Sequence, residues 1–140
     1  MALAVAQQMV VEMGLAKVLE FDSAGTHVRR DGGHPDPRVK SVLSGRNYQL
    51  GSIRSRQIGA VDFERFDLIV VMDNANMAAL WSQSPPQHRA KLHLLLEFAP
   101  DLGLQEVPDP YYGNLAGFER VLDLCEAGVR GLIKTQAQTL

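Results

Sequence analysis

Asp109 stands between two prolines and in front of two tyrosines, in the stretch Val107-Pro108-Asp109-Pro110-Tyr111-Tyr112-Gly113-Asn114. Proline fixes its own φ and restricts the residue before it, so this carboxylate sits on a stiff arm beside an aromatic pair. A carboxyl group held at a fixed point can pass a proton to or from a bound molecule. Its plainer reading is turn chemistry, because Asp-Pro favours turns. Two other polar clusters are compact enough for chemistry: Asp22-Ser23-Ala24-Gly25 and Met72-Asp73. The chain has one cysteine, Cys125, and no arginine six residues after it. It shares a helical face with Val121, Leu122 and Val129, and reads as a small buried apolar side chain. His27, His34, His88 and His93 have no metal-ligand spacing, so no metal or other cofactor is expected.

The elements that must position these residues alternate between helix and strand. Leu3, Ala6, Val10 and Met13 recur at near-helical spacing, which predicts a helix over residues 3–13, stopped by Gly14. Val18 to Phe21 is a short apolar run ending at Asp22, predicted as a strand over 18–22. Gly25, Gly32, Gly33, Pro35 and Pro37 predict a loop. Asp36 and Pro37 have the types of an N-cap and a first helical residue, for a helix running to about Asn47. Asp62 to Phe66 reads as one helical turn. Leu68-Ile69-Val70-Val71-Met72 is continuously apolar, as suits a parallel strand covered on both faces. Asp73 then caps a helix through Trp81, and Lys91 to Leu96 is a further strand. Asn114 caps a long last helix with Phe118, Val121, Leu122, Cys125, Val129, Leu132 and Ile133 on its apolar stripe.

This order predicts an α/β fold, a parallel sheet with helices on both faces, in a single domain over residues 1–140. In such sheets a site forms at the carboxyl ends of the strands. Asp22–Gly25, Met72-Asp73 and the Asp109 loop all fall at such ends. Composition narrows the partners. The 140 residues are 46% apolar and 21% charged, with a net charge of −2. That charge leaves no footprint for nucleic acid or an acidic membrane. No apolar run approaches the ~20 residues that span a bilayer. The opening stretch lacks a basic leader and is read as a helix, not a signal peptide. A single cysteine forms no internal disulfide and fits a cytoplasmic setting.

The chain resembles the low molecular weight protein tyrosine phosphatases. The resemblance rests on Phe21-Asp22-Ser23-Ala24-Gly25-Thr26, His34-Pro35-Asp36-Pro37-Arg38, Ser55-Arg56-Gln57-Ile58, Phe66 to Asp73, and Asp109-Pro110-Tyr111-Tyr112-Gly113, in the family's order. It implies a cysteine thiolate that attacks phosphorus, with an arginine and a ring of backbone N–H groups holding the phosphoryl oxygens. On that reading Asp109 matches the general acid that protonates the leaving phenolate. Tyr111 and Tyr112 match the pocket wall. Arg29 falls where the family usually presents an aromatic ring, with Arg30 beside it; both also read as solvated loop charges. Ser23, Arg56 and Asp73 match supporting positions, and Ser23 and Asp73 have simpler parts as a loop bond and an N-cap. Ile53 replaces a histidine often found three residues before that arginine.

The family's nucleophile lies in a Cys-x5-Arg-Ser loop between its first strand and first helix. By the resemblance this chain opens inside that helix, so loop and first strand are missing from it. Three readings compete. The first is a shortened phosphomonoesterase acting on phosphotyrosine proteins or small aryl phosphates, inactive as it stands. The second is a natural pseudophosphatase that binds without turnover. The third, arsenate reduction, needs more redox cysteines than the one present. The missing strand would lie centrally, between residues 18–22 and 67–72, and removes ~6–15 kcal/mol of burial. That equals a typical domain's whole stability, ~5–15 kcal/mol. A homo-oligomer is therefore expected.

Overall fold

A computed structural model describes residues 1–26, 36–49, 51, 55–110 and 114–140. Helix α1 is Ala2–Glu12. It ends in a left-handed Gly14 (φ 73°). There Gly14 N–H donates to Val11 C=O at 3.1 Å and Leu15 N–H to Val10 C=O at 2.8 Å. This pair of bonds closes the helix's free carbonyls, and glycine accepts the positive φ without strain. Helix α2, Pro37–Gly45, starts as its sequence predicts: the Asp36 carboxylate accepts from Arg38 N–H at 2.8 Å and proline fills the first turn. Helix α3 is Ala60–Arg65. Strand β1, Ile69–Val71, pairs in parallel with β2, Leu92–Leu94, in the register Ile69↔Leu92, Val70↔His93, Val71↔Leu94. Helix α4, Asn74–Gln83, makes the crossover between them, and helix α5, Leu115–Gln138, closes the chain.

The sheet's two faces feed two apolar clusters, because side chains alternate along a strand. Ile69 and Val71 pack with Phe63, Leu80, Leu92 and Met77 under α3 and α4. Val70 and Met72 pack against the larger cluster of α1, α2 and α5. The stripe of α5 is as its spacing predicts: Phe118, Val121, Leu122, Cys125, Val129, Leu132 and Ile133 are all buried. Two glycines let α5 approach its neighbours. A Cβ at Gly131 would lie 1.7 Å from the Phe98 carbonyl oxygen, and one at Gly128 would lie 2.6 Å from Leu95 Cγ.

Two expectations need correction. Residues 18–22 form no strand. The chain turns through Leu15–Val18 and then runs extended, with Leu19, Phe21 and Ser23 half-buried and Val18, Glu20 and Asp22 exposed. The alternation is that of a strand, but the segment's only bridge, among the described residues, is Gly25↔Gln57. Strand status needs a hydrogen-bonded neighbour, which local sequence does not supply. The strand expected over 91–96 is shorter, because Glu97 Oε1 accepts from Leu94 N–H at 3.2 Å and turns the chain into a 3₁₀ turn, Leu95–Phe98.

Candidate active site

The carboxyl end of β1 and the first turn of α4 form the junction of the site. Asp73 caps α4, its carboxylate accepting from Asn76 N–H at 2.7 Å. A side-chain oxygen is the normal partner for such a free helical N–H. On one side, Asn76 Nδ2 donates to Thr26 Oγ1 at 3.2 Å. Gln57 Nε2 donates to Thr26 C=O at 2.7 Å, and Gly25 exchanges backbone bonds with Arg56 C=O (2.8 Å) and Ile58 N–H (3.0 Å). The 22–26 segment is thereby stapled to both 56–58 and α4.

Arg56 grips this staple from below. Its two terminal nitrogens donate to the two Asp62 oxygens at 2.9 and 3.0 Å, and one reaches Asp22 at 3.3 Å. The fork matches a carboxylate's two oxygens, which makes the pair directional. Asp62 also accepts from Gly59 N–H at 2.8 Å at the start of α3. The Arg56 guanidinium holds the Asp62 carboxyl below its usual range, against the opposing effect of burial and with help from Gly59 N–H.

On the other side of the junction lies the Asp109 arm. Val107 N–H donates to Met72 C=O at 2.8 Å, and Glu106 Oε1 accepts from Asn74 N–H at 2.9 Å. Val107 is buried, whereas Asp109 is exposed. Pro110 rests near the first turn of α5, where a Cβ added at Gly117 would lie 3.8 Å from Pro110 Cβ. Asn114 caps that helix through Gly117 N–H at 3.1 Å.

A family model described as low molecular weight phosphotyrosine protein phosphatase matches residues 1–139. The chain belongs to this family. Its likeness to a low molecular weight protein-tyrosine-phosphatase of Streptomyces coelicolor is 39% identity over 136 residues, covering 95% of this chain and 82% of the relative. A human low molecular weight phosphotyrosine protein phosphatase is 32% identical over 133 residues, 94% of this chain and 83% of that protein. Among solved structures, a protein tyrosine phosphatase from Entamoeba histolytica superposes with a TM-score of 0.92 at 36% identity, covering 99% of this chain and 89% of that one. YfkJ from Bacillus subtilis gives 0.92 at 28% identity, covering 99% and 86%. The phosphatase-family fold is therefore the α/β parallel arrangement that the alternation of elements predicts.

Of the family-matched residues, the structure joins Arg56 to the Asp22–Thr26 segment that carries Ser23. Through Asn74 and Asn76 it joins Asp73 to both that segment and the Asp109 arm. Arg29, Tyr111 and Tyr112 lie outside the described residues, as do Arg30 and Ile53. Cys125 is elsewhere, in the main core on α5, and burial pushes its thiol up to about 11 despite the nearby N-terminal ammonium. Among the described residues no group of three or more His, Cys, Asp or Glu is placed to hold a metal ion. The sequence reading missed Asp62, Gln57, Asn76 and Glu106. Only Asp62 had a local signal, as an acid three residues after the Gly59 that opens α3.

Proposed function

We propose that these residues carry the proton-transfer side of a phosphotyrosine phosphatase site, and that the chain as it stands does not turn substrate over. The observation that carries the second part is Cys125. It is the one cysteine present, it is buried, and its thiol is pushed up to about 11. A phosphoryl-accepting sulfur must be a thiolate at neutral pH, which calls for a lowered pKa, an exposed position and cationic neighbours. No Cys-x5-Arg spacing occurs within residues 1–140.

Joined to such a loop, the parts take these roles. Thiolate attack forms the S–P bond and breaks the P–O bond, and Asp109 delivers its proton to the departing phenolate. The resulting carboxylate then takes a proton from water as that water attacks phosphorus, which releases phosphate and returns the thiolate. Tyr111, Tyr112 and Arg29 line the slot for the aryl phosphate, and Arg29 offers a planar cation for a ring or an anion. Ser23, Arg56 and Asp73 brace it. The substrate is a phosphotyrosine protein or a small aryl phosphate, met in the cytoplasm. A pseudophosphatase, a binding module without turnover, is the second reading, favoured by Arg29 in the aromatic position and Ile53 in the histidine position.

We also propose that the chain self-associates. No third strand pairs with the sheet among the described residues, and Val70, Met72, Leu19 and Phe21 are only partly buried. Purified chain is expected to leave nitrophenyl phosphate unhydrolysed above buffer, and the same chain joined to a Cys-x5-Arg-Ser loop is expected to hydrolyse it. Turnover by the unjoined chain that is lost on Cys125→Ser overturns the proposal. Failure of the joined form to turn over, with phosphate still bound, decides for the binding module.

A further inference from the structure

We propose that Glu106 is a positioning residue for Asp109. This rests on the reading of Asp109 as general acid. Two residues, Val107 and Pro108, separate the two carboxylates, and each restricts the arm. Glu106 Oε1 accepts the N–H of Asn74, the first residue of α4, at 2.9 Å. The next residue, Val107, is buried and donates its N–H to Met72 C=O at 2.8 Å. Pro108 then fixes the direction in which Asp109 leaves, and Pro110 settles beside Gly117 of α5.

Asp73 and Glu106 each take one of the free N–H groups at the start of α4: Asp73 takes that of Asn76, and Glu106 takes that of Asn74. The Asp73 bond is a local cap, whereas the Glu106 bond spans thirty-two residues and ties a loop to a helix. A helix cap alone needs no residue from so far along the chain. A loop whose next residue but two must hold a proton at a fixed point does need an anchor, because a displacement of about 1 Å can cost ~10²-fold in rate. The charge also suits its place: a carboxylate at the first turn of a helix meets the positive end of the peptide dipoles. Glu106 touches no reacting atom in this scheme. It acts through the arm.

The experiment uses the 140-residue chain and nuclear magnetic resonance. Glu106→Ala is expected to speed amide exchange at Val107 by ~10-fold or more, since local opening sets that rate. It is also expected to shift the Asp109 carboxyl-carbon resonance. Glu106→Gln keeps an acceptor oxygen and is expected to restore both signals. Asn74→Pro removes the donor without touching Glu106. Proline is tolerated at the first helical position, and the extended Asp73 before it (φ −144°, ψ 173°) suits a pre-proline residue. It is expected to reproduce the alanine phenotype, and the double variant to add little. An Asp109 resonance unmoved in both Glu106→Ala and Asn74→Pro overturns the proposal, and so does a Gln variant that behaves like Ala. Loss of the general-acid role, read separately from the leaving-group dependence of a form carrying the Cys-x5-Arg loop, would leave this anchoring result standing.

Discussion

Asp109 lies in a loop and Asp62 in the first turn of α3, and the two carboxylates differ in exposure. Asp109 is exposed on its proline arm, whereas Asp62 has 12% side-chain exposure and is locked to Arg56. In a form of the chain that carries the nucleophile loop, Asp109→Asn is expected to lower kcat by ~10²-fold or more with phosphate inhibition little changed. The loss should shrink as the leaving phenol becomes more acidic, which a series of substituted aryl phosphates measures. Asp62 belongs to stability instead. Its carboxyl is held low in the folded chain, so its contribution is present above the unfolded value of ~3.9 and is lost as pH falls through the folded value. Urea midpoints for the native chain should therefore drop below about pH 4, and Asp62→Asn should flatten that drop while lowering the neutral plateau. Arg56 was legible as a retained arginine. Its contact with Asp22 was not, because Asp22 lies thirty-four positions away and only the fold brings it near.

Helix ends were the most legible elements. Asp36, Asp73 and Asn114 each cap the helix that their sequence context predicts, since a cap is a contact within three residues. Strand β1 and the α5 stripe were also readable, from an apolar run and helical spacing. The extended 19–24 segment was not, because its residue types fit a strand while its pairing depends on what lies alongside. The glycines of α5 carry another non-local demand. Gly131→Ala is expected to destabilise by about 3 kcal/mol or more, since its methyl group would collide with a backbone carbonyl that cannot rotate away. Gly45, at the end of α2, has open space around its Cβ direction. Gly45→Ala is expected to be neutral or to stabilise by ~0.5–1 kcal/mol through the unfolded chain. Thermal melts of the two variants side by side check both expectations.

At the scale of the molecule, the two apolar clusters are unequal. The larger joins α1, α2 and α5, and the smaller sits under α3 and α4 with a two-stranded sheet between them. A sheet of two strands is marginal alone and depends on what covers it. Light scattering at micromolar concentration is expected to report a mass above that of one 15.4 kDa chain. A cooperatively melting monomer would refute self-association. Family membership was readable from five short motifs, whereas assembly was not, because it depends on which edges remain open after folding.

The turn through Leu15–Val18 has a consequence for the covalent continuity of the chain. Lys17 is exposed there, on a stretch with no ladder bonds to protect it, while α1 buries Ala4, Val5, Ala6, Met9 and Val10 against α5 and its neighbours. Brief trypsin treatment should cut after Lys17 before it reaches the arginines of α5, because proteases select segments that open locally. The peptide 1–17 would then have no covalent bond to the remainder and every reason to stay, since its apolar face has nowhere drier to go. Two bands on a denaturing gel and one peak on a native sizing column would mark a protein whose first helix is held without a covalent link, as a bound peptide ligand of its own body.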